Sequence, residues 1–288
     1  MTRNEMIRSF VKSAGLGLEV GPSFSPVFPK SAGYNVHTLD HASAEELRTK
    51  YASAGVDINA IEEVDYVSDG RPIHELVPGR HCYDYIAASH VIEHTTDFVG
   101  FFESCEKLLK RTGVVILAVP DKRYCFDALQ VATSTGDVLQ AHYEKRSRPA
   151  PARVFDFFAN YSRRDGQDIW HSEAAGPAQL LGNLENAKGQ FDKSLIPGGE
   201  YIDVHGWRFT PASFRLLIHD LNSLGALSIK ESGLYQNGTF EFLIALSPTG
   251  AGSGLSRFEL IREAVREQAV SAAQILSDMD RVASPVPA

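Results

Sequence analysis

Five short apolar runs, each ending in a polar or flexible break and separated by stretches of helical periodicity, constrain the fold of this chain more than any other feature. They are Gly17-Leu18-Glu19-Val20, Asn35-Val36-His37-Thr38-Leu39, Val64-Asp65-Tyr66-Val67, Tyr83-Asp84-Tyr85-Ile86-Ala87-Ala88 and Val114-Val115-Ile116-Leu117-Ala118-Val119. Strands spaced this way need crossovers of about a dozen residues or more, which selects parallel pairing over hairpins. Helical spacing over residues 3–13 (Met6, Ile7, Phe10 and Val11, with Ala14-Gly15 as the stop), 43–54 and 98–110 supplies the covering layers. A further helix opens at the Thr210-Pro211-Ala212-Ser213 cap and runs to Leu224 and Gly225, ahead of two closing strands at about 226–234 and 239–247. The expected fold is α/β, a doubly wound, mostly parallel seven-stranded sheet of Rossmann-like type.

Regular alternation lapses over residues 123–201, where aromatic, Arg-rich and Pro-punctuated sequence reads as a largely helical insertion, a lid for a substrate. The expected division is therefore 1–122 with 202–248 as the main domain, 123–201 as the insertion, and 249–288 as a C-terminal helix and tail. In the last part, Gly250, Gly252 and Gly254 form a linker, a helix spans about 255–281, and Ser284-Pro285-Val286-Pro287 frays. That helix is expected to pack either on the domain or on a partner subunit, as an element of a homodimer.

Composition narrows the function. A net charge of -8 leaves no general surface for a polyanion, so nucleic acid is not an expected partner. No apolar run approaches the roughly 20 residues of a membrane span, and no signal-peptide core is present, so a cytoplasmic protein is expected. Cys82, Cys105 and Cys125 lack metal-ligand spacing and read as reduced thiols, and no His/Asp/Glu spacing marks a metal site.

The chemistry gathers at the strand ends, where α/β sheets bind ligands. Glu19-Val20-Gly21-Pro22-Ser23-Phe24-Ser25 follows the first strand, and Gly21 permits close backbone approach. Alone, this segment is equally a plain turn. Asp40 ends the second strand 21 positions after Glu19, where a carboxylate can accept both hydroxyls of a ribose. Asp69 and Gly70 end the third, and Ser89-His90-Val91-Ile92-Glu93-His94 follows the fourth.

On LEVGPSFSP, VHTLDH, VSDG, DYIAASHVIEHTTD and LLKRTGVVILAVPD, in this order over residues 17–121, the chain resembles the class I S-adenosylmethionine-dependent methyltransferases. Within them it is similar to the type 11-like subgroup with a HxxEH segment after strand four, and its C-terminal strand pair resembles the family's antiparallel closing hairpin. The resemblance implies S-adenosyl-L-methionine as cofactor, held by Glu19, Gly21, Ser23, Asp40, Asp69, Gly70, Ser89 and His90. Ser23 and Ser25 depart from it, standing where the family's loop has glycine. A Rossmann dehydrogenase is disfavoured because GxGxxG is absent.

For an acid or base, the candidates are His90 and His94, four apart after strand four, His171 beside Trp170, and His205 beside Trp207. Trp170 and Trp207 read as either an aromatic substrate wall or core anchors, and Arg123 and Tyr124, after strand five, as substrate contacts or surface ion-pair residues. The expected function is methylation of oxygen or nitrogen on a small molecule: a sugar, amino acid or secondary metabolite. Two alternatives stand beside it: non-methyl chemistry on the same cofactor, and a non-catalytic binding protein of the same fold.

Overall fold

The computed structural model describes residues 1–11, 15–174 and 176–283, so the helix stop expected at Ala14 and the tail at 284–287 lie outside the described residues. Five strands follow the expected order: β1 (Gly17–Val20), β2 (Val36–Asp40), β3 (Tyr66–Val67), β4 (Tyr83–Ser89) and β5 (Leu109–Pro120). A hairpin of β6 (Ser162–Arg164) and β7 (Ala178–Leu180) stands apart, and β8 (Lys230–Gln236) and β9 (Glu241–Ser247) close the main sheet. That sheet runs β3-β2-β1-β4-β5-β9-β8, parallel from β3 to β5, with β9 antiparallel to both neighbours. It is the doubly wound, mostly parallel seven-stranded sheet that the alternation predicts.

The strand order reverses between β1 and β4, and this switch point opens a crevice beyond their C-terminal ends. Register sets its rim: Val20 pairs with Leu39 on one side and Ala88 on the other, and Ser89 pairs with Ala118. Gly21, Asp40 and Ser89 therefore emerge side by side.

Period-two alternation explains why the central strands are apolar throughout, since both sheet faces are covered. Val115, Leu117 and Val119 of β5 join Ile86 and Ala88 of β4 in the larger core, while Ile116 and Ala118 join Tyr85 and Ala87 in the other. The second core is covered by Ile7 of α1 (Arg3–Arg8) and by Val27 and Phe28 of the loop after β1. A smaller cluster forms around Leu47 of α2 (Ala44–Tyr51), and a single turn, α3 (Ile73–Leu76), precedes β4.

The larger core is covered by α4 (Phe98–Leu108), which Asp97 caps and which buries Phe98, Phe101, Phe102, Cys105 and Leu108 at helical spacing. The Thr112-Gly113 turn expected after this helix is a bulge inside β5: Leu109 pairs with Tyr83 and Val114 with Tyr85, so the residues between loop out.

Residues 123–201 contain α5 (Thr135–Tyr143), α6 (Pro151–Ala159), the β6–β7 hairpin and α7 (Leu184–Ser194). Val138 and Ala141 of α5 are part of the main core, so the segment begins as a layer of the domain. The capped helix expected at Thr210 is α8 (Pro211–Ser223), with a Thr210–Ser213 capping box and Pro211 in its first turn.

Last, α9 (Arg257–Ala283) packs on its own chain, burying Leu260 and Ala264 and pairing Arg257 with Asp220 of α8. No helix among the described residues is long and apolar enough to cross a membrane.

Candidate active site

The crevice rim is built from backbone strain and buried carboxylates. Gly21 has φ 67°, and a Cβ there would lie 2.6 Å from Val91 Cγ2, so only glycine fits. The loop beyond it is held from below. The Glu19 side chain is buried, and its two oxygens accept the Val27 and Phe28 amides at 2.6 and 3.0 Å. Burial, opposed by those amides, raises its pKa to about 7. Glu19 thus shapes the loop, with both oxygens occupied there.

Asp40 is also buried, and its Oδ2 accepts the Ser23 amide at 2.9 Å. Its Oδ1 takes the His41 amide at 2.8 Å and the His41 imidazole at 2.7 Å. Ser23 sits in the left-handed region at φ 46°, with its hydroxyl buried and making no hydrogen bond. Strain and an unsatisfied buried hydroxyl at the same strand end suit a loop that takes a polar ligand. Asp69, by contrast, is exposed and paired with Arg71 at 2.8 Å, beside Gly70 at φ 89°.

On the other side of the crevice, Ser89 Oγ accepts from Arg3 Nη2 at 2.6 Å, and Arg3 grips Glu241 at 2.6 and 2.7 Å. Sequence reasoning passed over Arg3 because only the fold carries α1 to the end of β4. His90 follows in the left-handed region at φ 54°, an unusual backbone for a non-glycine residue. Its Nε2 hydrogen-bonds Glu241 at 2.9 Å.

Beyond His90 the chain turns through Ile92-Glu93-His94, and the segment before α8 folds against that turn. The amides of Gly206 and Trp207 both donate to the Glu93 carbonyl, and the Trp207 indole donates to Thr95 O at 2.5 Å. These bonds bring His205 beside Glu93 and His94. The His94 and His205 rings lie edge to face at 4.8 Å.

Glu93 is 1% exposed, and neither of its carboxylate oxygens accepts a hydrogen bond. Its Oε1 lies 3.6 Å from His90 Nδ1, 3.9 Å from His94 Nε2 and 4.0 Å from His205 Nε2. The far nitrogen of each ring meets another carboxylate: His90 with Glu241 at 2.9 Å, His94 with Asp203 at 2.8 Å, and His205 with buried Asp127 at 2.6 Å. Partial burial disfavours the charged form of His94, but Asp203 and Glu93 outweigh it and hold the imidazole above its usual range. Burial likewise opposes ionisation of Asp127, yet His205 and Arg208 keep it below the usual carboxylate range. This field favours any cation placed among the three rings.

A cavity of about 320 Å³ opens onto this group, with His90, Glu93, His94 and His205 on its polar wall and Phe126 and Phe240 among its aromatic residues. It adjoins the crevice through His90. Although the sequence marks no metal spacing, the fold gathers Glu93, His94 and His205 with one ligand atom each within 4.8 Å of one another.

Other expected site residues lie elsewhere. Trp207 is packed in the main core, and buried Trp170 stacks under Arg164 at 5.7 Å; neither lines this cavity. Arg123 is bound to Asp121 and lies over Tyr124, again away from the cavity lining, and His171 is exposed and outside the histidine group. Asp203, the carboxylate next to His205 in the sequence, pairs with His94, and His205 takes Asp127 instead. Glu93 stands inside the HxxEH segment, whereas Asp127 and Glu241 meet their histidines only through tertiary contacts and carry no sequence signal.

No protein-family model and no curated protein matches the chain. Among solved structures it is similar to a SAM-dependent methyltransferase from Aquifex aeolicus, at 12% identity over 85% of this chain and 88% of that one, TM-score 0.43. A second SAM-dependent methyltransferase, from Mesorhizobium loti, is 13% identical over 84% of this chain and 95% of that one, TM-score 0.44. The CcbJ methyltransferase from Streptomyces caelestis is 14% identical over 85% and 93%, TM-score 0.42.

Proposed function

We propose that the chain is an S-adenosylmethionine-dependent methyltransferase acting on an oxygen or nitrogen of a small molecule. The observation that carries this reading is one juxtaposition: a strand-end rim of Gly21, Ser23, Asp40 and Ser89 at the switch point, joined through His90 to a histidine-lined cavity.

The rim fits the cofactor in chemistry. Buried Asp40 supplies a carboxylate for the ribose diol, with His41 yielding its place on Oδ1. The Ser23 hydroxyl is a ready partner, and Arg3 offers a guanidinium for the carboxylate end. Glu19 keeps the loop in shape from beneath, and Asp69 with Gly70 borders the adenine side. When bound, the cofactor supplies an electrophilic methyl group.

This chain's own residues then align the acceptor and handle its proton. A cavity of about 320 Å³ is at the small end of ligand sites, which suits a small acceptor. His90, where the rim meets the cavity, draws off the acceptor's proton as its nucleophilic atom meets the methyl carbon, and the aromatic wall excludes water.

The test is calorimetry with S-adenosylmethionine, followed by product analysis in an acceptor screen. Binding and S-adenosylhomocysteine formation are expected. No binding at millimolar cofactor, or methylthioadenosine as the product, overturns the reading.

A further inference from the structure

We infer that Glu93, His94 and His205 form a divalent-cation site, with His90 at its border and its open face toward the cavity.

The first argument is distance. Glu93 Oε1 stands 3.6–4.0 Å from a nitrogen of each of the three rings, too far for hydrogen bonds. Nitrogen and oxygen ligands that each sit about 2.0–2.2 Å from one ion lie roughly 3–4 Å from each other. With the three ligand atoms all within 4.8 Å of one another, the spacing is close to that of ligands around a shared centre.

The second is an unsatisfied carboxylate. Both oxygens of Glu93 are buried and accept no hydrogen bond, a costly state that a cation relieves. Glu93 is among the residues that line the cavity.

The third is the outer ring of acids. Asp203 and Asp127 bind the Nδ1 of His94 and His205, which leaves each Nε2 with its lone pair turned inward to Glu93. Glu241 does the same for His90 from the opposite nitrogen. A carboxylate behind each ligating imidazole fixes its tautomer and raises its basicity, the usual support of a metal centre. Two imidazoles and one carboxylate suit zinc, manganese or iron and leave positions open for an exogenous ligand.

On the methyltransferase reading, on which this last step rests, the open face takes an oxygen of the acceptor, narrowing the substrate class to hydroxyl-bearing molecules. A bound cation lowers the pKa of such a hydroxyl.

The experiment titrates the full, metal-stripped chain with Zn²⁺, and separately with Mn²⁺, by calorimetry, without S-adenosylmethionine. One ion per chain is expected, with a rise in unfolding temperature. Glu93→Gln and His205→Gln should each weaken binding by roughly tenfold or more, whereas His142→Ala, in the partly buried cluster with Asp97 and Glu103, should leave it unchanged. Metal-free Glu93→Gln should unfold at the same temperature as the native chain or higher, because it replaces a buried charge with a neutral isostere. No saturable binding of either ion at millimolar concentration, or binding that survives both substitutions, overturns the site. A lower unfolding temperature for metal-free Glu93→Gln would make Glu93 a structural partner of the histidines and overturn it as well. Because the titration omits the cofactor, its failure and a failure of S-adenosylmethionine binding are separate results.

Discussion

Replacing Asp40 tests the cofactor reading most directly. The carboxylate is buried and accepts two hydrogen bonds, from the Ser23 amide at 2.9 Å and the His41 amide at 2.8 Å, with the His41 ring against it at 2.7 Å. In Asp40→Asn one oxygen becomes an NH₂ group, which must face either the Ser23 or the His41 amide, donor against donor. The left-handed backbone of Ser23 loses its anchor as the ribose loses a charged acceptor. Hydrogen bonds to charged groups contribute about 1.5–3 kcal/mol each. With part of that loss already present in the free protein, the affinity for S-adenosylmethionine should fall by about 1–3 kcal/mol, roughly 5- to 150-fold in Kd. Calorimetry of Asp40→Asn and Asp40→Ala, each checked by thermal unfolding, measures it. His41→Ala is the counter-test: it removes the imidazole from Oδ1 and leaves the backbone amide there, so binding should tighten or stay the same. Folded Asp40 variants with Kd within about twofold of native would refute the ribose assignment and the strand register on which it rests.

Two further predictions concern the scaffold. Glu19 has a folded pKa of about 7 against an ordinary 4.5, so its contribution to stability is fully present below about pH 4.5 and is lost as pH rises toward 7. The loss approaches about 3 kcal/mol; denaturant titrations across this range should show it, and Glu19→Gln should flatten that part of the profile, whereas equal slopes for both proteins would count against the burial argument. Arg164 and Asp278 form a buried pair at 2.5 Å that ties α9 to the β6–β7 hairpin. Asp278→Ala should cost about 3–5 kcal/mol in urea unfolding, with much of it recovered by Arg164→Met combined with Asp278→Leu, since two apolar groups avoid the desolvation of an ion pair. A single-variant loss below about 1 kcal/mol would show that the contact is solvated.

Much of the fold was legible in the chain because its signals are local. Strand runs such as 114–119, the Thr210 cap, and the crossover lengths between strands each act within a few residues, and together they leave a parallel doubly wound sheet as the consistent outcome. The bulge at 110–113 and the inclusion of α5 in the core were not legible, because a register and a packing partner belong to two segments at once.

The same division runs through the site. Gly21, Asp40 and Ser89-His90 could be placed on the rim from sequence, since parallel topology sends every strand's C-terminal end to one edge. Only the tertiary structure decided the rest: Arg3 reaching Ser89, His205 drawn to Glu93 by the Glu93 carbonyl, and a carboxylate behind each ring. Those contacts join residues up to 151 positions apart, as His90 and Glu241 show. No periodicity or spacing rule spans such a gap, because it is closed by the packing of the core and not by any property of the chain nearby.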